Sequence, residues 1–278
     1  MTERCERVLV TVLGDIGPWS DRLILAGGLV PRYLIGELPE GARPHVGSTD
    51  VDLILALAMP DSAEAYRTLE RNLRDSDFEP GDSSFQWRRE VEGLDVVVEF
   101  LCETTEVERG RIHRPKDGHG SKLGALNVEG AELAAQDFTT VQVEAERLDD
   151  GGQSRIEVRV ANLLPYVVLK IQSFQDRHER KDAYDLCFTI RNWPRGPAAA
   201  GKAASSSPVA SDQLIGRSLE LLTERFESGE HDGPKAYADF LARSDDERDQ
   251  LQLESASSSM SLVEVALELI GHQCPNAL

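Results

Sequence analysis

The chain has 278 residues, 40% of them hydrophobic, which suits one or two globular domains with a sizeable core. Its 49 acidic residues against 30 Lys and Arg give a formal net charge of −19, which favours solubility and repels nucleic acid on average. The opening MTERCERVLV is charged and unlike a secretory signal, and no apolar run approaches the roughly 20 residues that span a bilayer, so a soluble, cytoplasmic protein away from membranes is expected.

Residues 3–15 read as an opening helix with Val8, Leu9, Val12 and Leu13 on one side. RLILAGG, residues 22–28, reads as a short strand ending in the pair Gly27-Gly28. Residues 29–38 look helical, with Pro31 tolerable in the first turn, and PEGARPHVG, residues 39–47, is a loop by its Pro and Gly content. The strand that follows carries two carboxylates one residue apart. Val51, Leu53, Leu55 and Leu57 form one face, while Asp50 and Asp52 share the other with Ile54, Ala56 and Ala58. Two like charges at the end of a strand covered on both sides repel each other and resist desolvation, and a shared cation would relieve both costs.

Residues 62–76 form an amphipathic helix, with Ser62 as N-cap and Ala65, Leu69 and Leu73 four apart. Residues 85–101 read as a hairpin turning at Glu92-Gly93. In its second strand Leu94, Val96, Val98 and Phe100 face one way, and Asp95, Val97, Glu99 and Leu101 the other. The basic stretch 109–122 holds Arg109, Arg111, Arg114, Lys116 and Lys122 against Asp117; it is either a solvated loop or a contact for phosphates. Residues 139–160 read as a second hairpin around DDGGQ, and helix signals run from Leu163 to about Asn192. There Leu163, Leu164, Val167, Val168, Ile171 and Phe174 form an apolar arc with Lys170, Ser173 and Arg177 at its edge. Residues 195–210 are low-complexity and read as a linker, and 211–278 are helical by period with charged faces. The cysteines Cys5, Cys102, Cys187 and Cys274 form no Cys-x-x-Cys pair, which points to reduced thiols, and the histidines show no ligand spacing.

Gly27-Gly28, then Ser48-x-Asp50-x-Asp52, then a strand bearing Glu99 resemble the nucleotidyltransferase superfamily, whose pattern is a glycine pair, Asp-x-Asp and a third acid on a neighbouring strand. LKIQSFQDRHERKDAYDL, residues 169–186, is similar to the second signature of AbiEii/AbiGii-type toxins, the nucleotidyltransferases of type IV toxin–antitoxin and abortive-infection systems. The resemblance covers roughly residues 20–192, and the stretch between Gly28 and Asp50 is longer than the superfamily's usual spacing. It implies an α/β (α+β) fold with a nucleotidyltransferase core of a short mixed sheet flanked by helices over 1–110 and a hairpin and helical extension over 111–194 carrying Lys…Lys-Asp-x-x-Asp; composition and helical period add a linker over 195–210 and a mainly helical region over 211–278.

The resemblance also implies roles. Asp50, Asp52 and Glu99 (Asp95 being the alternative third acid) would hold Mg2+ or Mn2+, which prefers carboxylate and phosphate oxygens. Together with Lys170 and Asp185 they would be the catalytic residues. Gly27, Gly28, Ser48, Lys170, Arg177, Lys181 and Asp182 would bind the NTP. On their own chemistry several of these residues keep a second reading: Ser48 donates to a phosphate or caps its loop, Lys170 reaches a triphosphate or snorkels, Asp182 caps a helix, and Asp185 orients a lysine. The implied activity is transfer of NMP to a hydroxyl, with the 3′ end of tRNA as acceptor, arrest of translation as the result and a cognate antitoxin as partner. The alternatives are a small, aminoglycoside-like acceptor, which as a polycation would suit an acidic cleft, and a non-catalytic nucleotide-binding module.

Overall fold

The computed structural model describes residues 2–14, 17–56, 62–115 and 121–273. Leu57, Ala58, Lys116, Asp117 and Cys274 lie outside the described residues, as do the side chains of Ser62 and Ala65. In chain order the elements are α1 (Thr2–Gly14), a 3₁₀ turn (Gly17–Arg22), β1 (Leu23–Ala26), a second 3₁₀ turn (Gly27–Leu29), α2 (Val30–Ile35), β2 (Asp50–Leu55), α3 (Ser62–Asp75), β3 (Glu79–Pro80), β4 (Gln86–Val91) and β5 (Leu94–Cys102). There follow β6 (Ile112–His113), β7 (Ala125–Asn127), α4 (Ala131–Gln136), β8 (Phe138–Glu146), β9 (Gln153–Ala161), α5 (Leu163–Arg177), α6 (Arg180–Arg191), α7 (Pro197–Ser205), α8 (Gln213–Phe226), α9 (Asp232–Leu241) and α10 (Asp245–Gln273). The protein is mixed α/β. It divides into two compact units, Met1–Val30 with Val46–Ala161, and Pro31–His45 with Asn162–Leu278.

The first unit is built on one mixed sheet in the order β3-β4-β5-β2-β1-β9-β8. β2 and β5 run parallel, β1 is antiparallel to β2 and parallel to β9, and the hairpins β4–β5 and β8–β9 extend the sheet on either side. The boundary expected near residue 110 is therefore corrected: β8 and β9 join the acid-bearing sheet through β1, so the unit ends at Ala161. Alternation decides which side of β5 is core, with Val96, Val98 and Phe100 buried while Val97 and Glu99 on the other face stay partly accessible. The turn joining β4 to β5 has Glu92 and Gly93 at φ 52° and 77°, the pair of left-handed residues that two-residue hairpins need. α1 is buried on more sides than its apolar stripe predicts, because Val10 and Thr11 are enclosed as well. The Thr11 hydroxyl is satisfied there: it donates to the Arg7 carbonyl at 2.7 Å and accepts the Leu148 N–H at 2.8 Å.

The second unit is helical. The predicted arc of α5 is buried throughout, from Leu163 to Phe174. The predicted linker is not one: residues 197–205 form α7, which packs on the 29-residue α10. The Ala/Gly/Ser content that reads as low complexity serves close helix packing, since Ala200 and Ala204 are buried and a Cβ at Gly201 would lie 2.7 Å from the Leu262 carbonyl oxygen. Among the described residues no helix is long and apolar enough to cross a membrane.

Gly201 gives a test whose sign separates a packed helix from a linker. In an open helix Gly→Ala would stabilise by about 1 kcal/mol. Here the new methyl meets backbone that cannot rotate away, so Gly201→Ala is expected to destabilise by about 1–3 kcal/mol in chemical denaturation. A gain in stability would contradict the α7–α10 packing.

Candidate active site

The first unit gathers the glycine pair, Ser48 and the acids. β2 and β5 pair in the register Asp50↔Val97 and Asp52↔Glu99, so Asp52 and Glu99 are direct neighbours on strands about 4.8 Å apart, with Asp50 two residues along the same face. Asp95 is not part of this group: it is exposed, lies before the stretch of β5 that pairs with β2, and faces Glu90 across the hairpin. Glu99 accepts a hydrogen bond from Gln86 Nε2 at 2.8 Å.

Gly27 follows β1, whose last residue Ala26 pairs with Asp52. Its φ is +68°, and a Cβ there would fall 1.6 Å from Asp52 Oδ2. The positive φ and the Asp52 carboxylate lying against this backbone both require glycine here. Gly28 is buried in the same turn.

Ser48 is buried and serves its own loop, its Oγ accepting the Asp50 N–H at 3.3 Å. That is the capping alternative, and it leaves the hydroxyl proton as a donor. The Ser48 carbonyl accepts from the Cys5 thiol at 3.2 Å. Burial, with the charge of Asp50 adding to it, pushes the Cys5 thiol up to about 12, so it acts as a neutral donor from α1 to the acid loop. Cys5, Cys102 and Cys187 are free and buried.

As the side chains stand, no three His, Cys, Asp or Glu among the described residues are grouped to hold a metal ion. The set Asp50, Asp52 and Glu99 fits a hard divalent cation in kind, being three carboxylates on one sheet face. At the far end of β2, Ile54, Leu55 and Ala56 line a cavity of about 440 Å³ whose polar lining is Glu103, Thr104, Thr105 and Glu132, with no Lys, Arg or His. Burial, with the charges of Glu132 and Glu129 adding to it, raises the Glu103 pKa, although its carboxylate accepts the Gly130 and Glu132 N–H groups.

The described part of the basic stretch is partly engaged. Arg109 pairs with Glu129 at 2.8 Å and Arg114 donates to Ser84 Oγ at 3.3 Å, while Arg111 and Lys122 are exposed.

The later motif forms a separate cluster within the second unit. Lys170 does not snorkel: it is 6% exposed, and its Nζ donates to Asp182 at 3.2 Å and to Asp185 at 2.7 Å. Asp182 does not cap α6, whose N-cap is Glu179; it accepts a second, forked contact from Arg177 at 2.7 and 3.0 Å. Asp185 orients Lys170, as expected, and also takes Lys181 at 3.0 Å and His45 Nε2 at 3.0 Å. His45 lies against the rings of Tyr184 and Phe188 and carries no signal in the sequence for this role.

Burial by itself pulls a lysine's pKa down, but Asp185 and Asp182 outweigh it and raise that of Lys170. Burial raises a carboxyl's, but Lys170, His45 and Lys181 outweigh it and hold Asp185 well below the usual carboxylate range.

Comparison of the chain with protein-family models, with curated proteins and with solved structures finds no match.

The buried cluster makes a pH prediction. Asp185 is depressed below its ordinary value of about 3.9, so its stabilisation is present above about pH 4 and is lost as pH falls through the lower folded-state value. Lys170 is raised above about 10.4, so its contribution persists up to that pH and is lost beyond it. Asp185→Asn is therefore expected to destabilise by about 3 kcal/mol between about pH 5 and pH 9. In a guanidinium series over pH, the gap to wild type should close only below about pH 4. A gap that closed already above about pH 5 would contradict the depressed pKa of Asp185.

Proposed function

We propose that the first unit is the core of a metal-dependent nucleotidyltransferase that moves NMP from an NTP to a hydroxyl, with the 3′ end of tRNA as acceptor. The observation that carries this reading is the side-by-side pairing of Asp52 and Glu99 on parallel strands, with Asp50 on the same face and Gly27 shaped to the Asp52 carboxylate. Three carboxylates on one face are a costly arrangement unless a cation and a polyphosphate share it. Asp50, Asp52 and Glu99 would hold Mg2+ or Mn2+, which supplies neutralisation of the phosphate charge.

The chain's own residues do the rest. The Ser48 hydroxyl donates to a phosphate oxygen while its oxygen keeps the Asp50 N–H in line. Glu99 takes the proton of the attacking hydroxyl as the new O–P bond forms and pyrophosphate leaves. Lys170 belongs to the scaffold: two ion pairs would have to break before it met a triphosphate. Arg177 and Lys181, more exposed than Lys170, carry the positive charge of that helix pair toward solvent. The tRNA acceptor, the arrest of translation and an antitoxin partner rest on the resemblance to AbiEii/AbiGii-type toxins, supported by exposed Arg111 and Lys122. A small cationic acceptor is the second reading, favoured by the cavity at the end of β2 with Glu103 and Glu132 in its lining.

The test is labelled-NTP transfer, each NTP in turn, to total tRNA and to a panel of aminoglycosides. Wild type is expected to label tRNA only with Mg2+ or Mn2+ present, and Asp52→Asn to lose at least about 100-fold in rate, a metal-ligand loss being worth several kcal/mol. Label on an aminoglycoside alone would move the acceptor to the second reading. Equal, metal-independent NTP binding by wild type and Asp52→Asn would sink the nucleotidyltransferase assignment.

A further inference from the structure

Glu99 is held differently from the carboxylates that are neutralised by ion pairs. Asp182 and Asp185 are neutralised by Lys170, Arg177 and Lys181. Glu70 takes Arg74 at 2.7 Å. Glu99, at the centre of the acid face, is bonded by a neutral amide, Gln86 Nε2, at 2.8 Å. The pair is a direct cross-strand pair of the β4–β5 hairpin, Gln86↔Glu99. The amide nitrogen, rather than its oxygen, must face the carboxylate, because two acceptors at that distance would repel.

Gln86 is itself held. Its N–H donates to the Ser83 carbonyl at 2.9 Å, its carbonyl accepts the Gly81 N–H at 2.8 Å, and a Cβ at Gly81 would lie 2.9 Å from Gln86 Cβ. The backbone of Gln86 is thus pinned from two sides and packed closely at its Cβ. A neutral donor on such a support does two things that a lysine or arginine would not do together. It restricts the rotation of the Glu99 side chain, and it leaves the full negative charge for a cation or a proton.

We propose that Gln86 is a positioning residue for Glu99, fixing one carboxylate oxygen so that the other is presented beside Asp52 with its charge intact. The inference rests on the nucleotidyltransferase reading of Glu99 and names a residue that reading does not require.

The test is Mn2+ binding by electron paramagnetic resonance on the full chain, with steady-state transfer alongside. Gln86→Met keeps the shape and removes the donor; it is expected to bind Mn2+ about 10-fold more weakly and to lose kcat while KM for NTP stays within about twofold. Gln86→His, which restores a neutral N–H, is expected to recover most of that loss. Glu99→Gln supplies a background in which Gln86→Met should change Mn2+ affinity no further, which keeps the test decisive if the single variant is weakly folded. Wild-type Mn2+ affinity in Gln86→Met, or an equal drop in the Glu99→Gln background, would overturn the positioning role while leaving the nucleotidyltransferase reading in place. Absence of Mn2+ binding by wild type would overturn that reading and this inference together.

Discussion

The parallel pairing of β2 with β5 is the constraint on which the first unit depends. Parallel strands cannot be joined by a tight turn, so the chain between Leu55 and Leu94 must leave the sheet and return, and it does so through α3 and β4. The return sets the register, and the register brings Asp52 beside Glu99. A shift of one residue would turn Glu99 toward the buried side occupied by Val98 and Phe100. The apolar core of the sheet therefore holds the acids in place as firmly as any contact they make themselves.

Several neighbours of these acids are uncharged. Gly27 gives way to Asp52, the Cys5 thiol and Ser48 hydroxyl work on the backbone of the acid loop, and Gln86 reaches Glu99 as a neutral amide. In the second unit the buried acids are paired with cations. Lys170, Arg177 and Lys181 neutralise Asp182 and Asp185 in a buried network that joins α5 to α6, and His45 attaches the segment Pro31–His45 to it. Such a network costs desolvation and repays it only when every member is bonded, so it specifies one arrangement of the helices more than it adds stability.

Much of this was legible in the residues themselves. Alternation identified the acid faces of β2 and β5, and period identified α5 with its buried arc, because burial repeats every two residues on a strand and every three or four on a helix. Even Gln86 was within reach. Once Glu92-Gly93 is taken as a two-residue turn, pairing counts outward from Val91↔Leu94 and meets Gln86↔Glu99. The stretch 195–210 misled for a physical reason: alanine, glycine and serine without large apolar residues describe a flexible linker and a closely packed helix equally well, and only the presence of α10 against them separates the two.

The sequence by itself determined which residues are acidic, which face of each strand they share, and where the chain turns, since these follow from local sterics and alternation. Tertiary structure alone decided three things. It made Glu99 rather than Asp95 the neighbour of Asp52, because both acids share a face of β5 and only the β2 register tells them apart. It gave Gly27 its reason, because the carboxylate that needs the missing Cβ lies on another strand. It turned Lys170 from a border residue into a buried ion-pair centre, because α5 has an edge in projection but α6, once packed against it, covers that edge with Asp182 and Asp185.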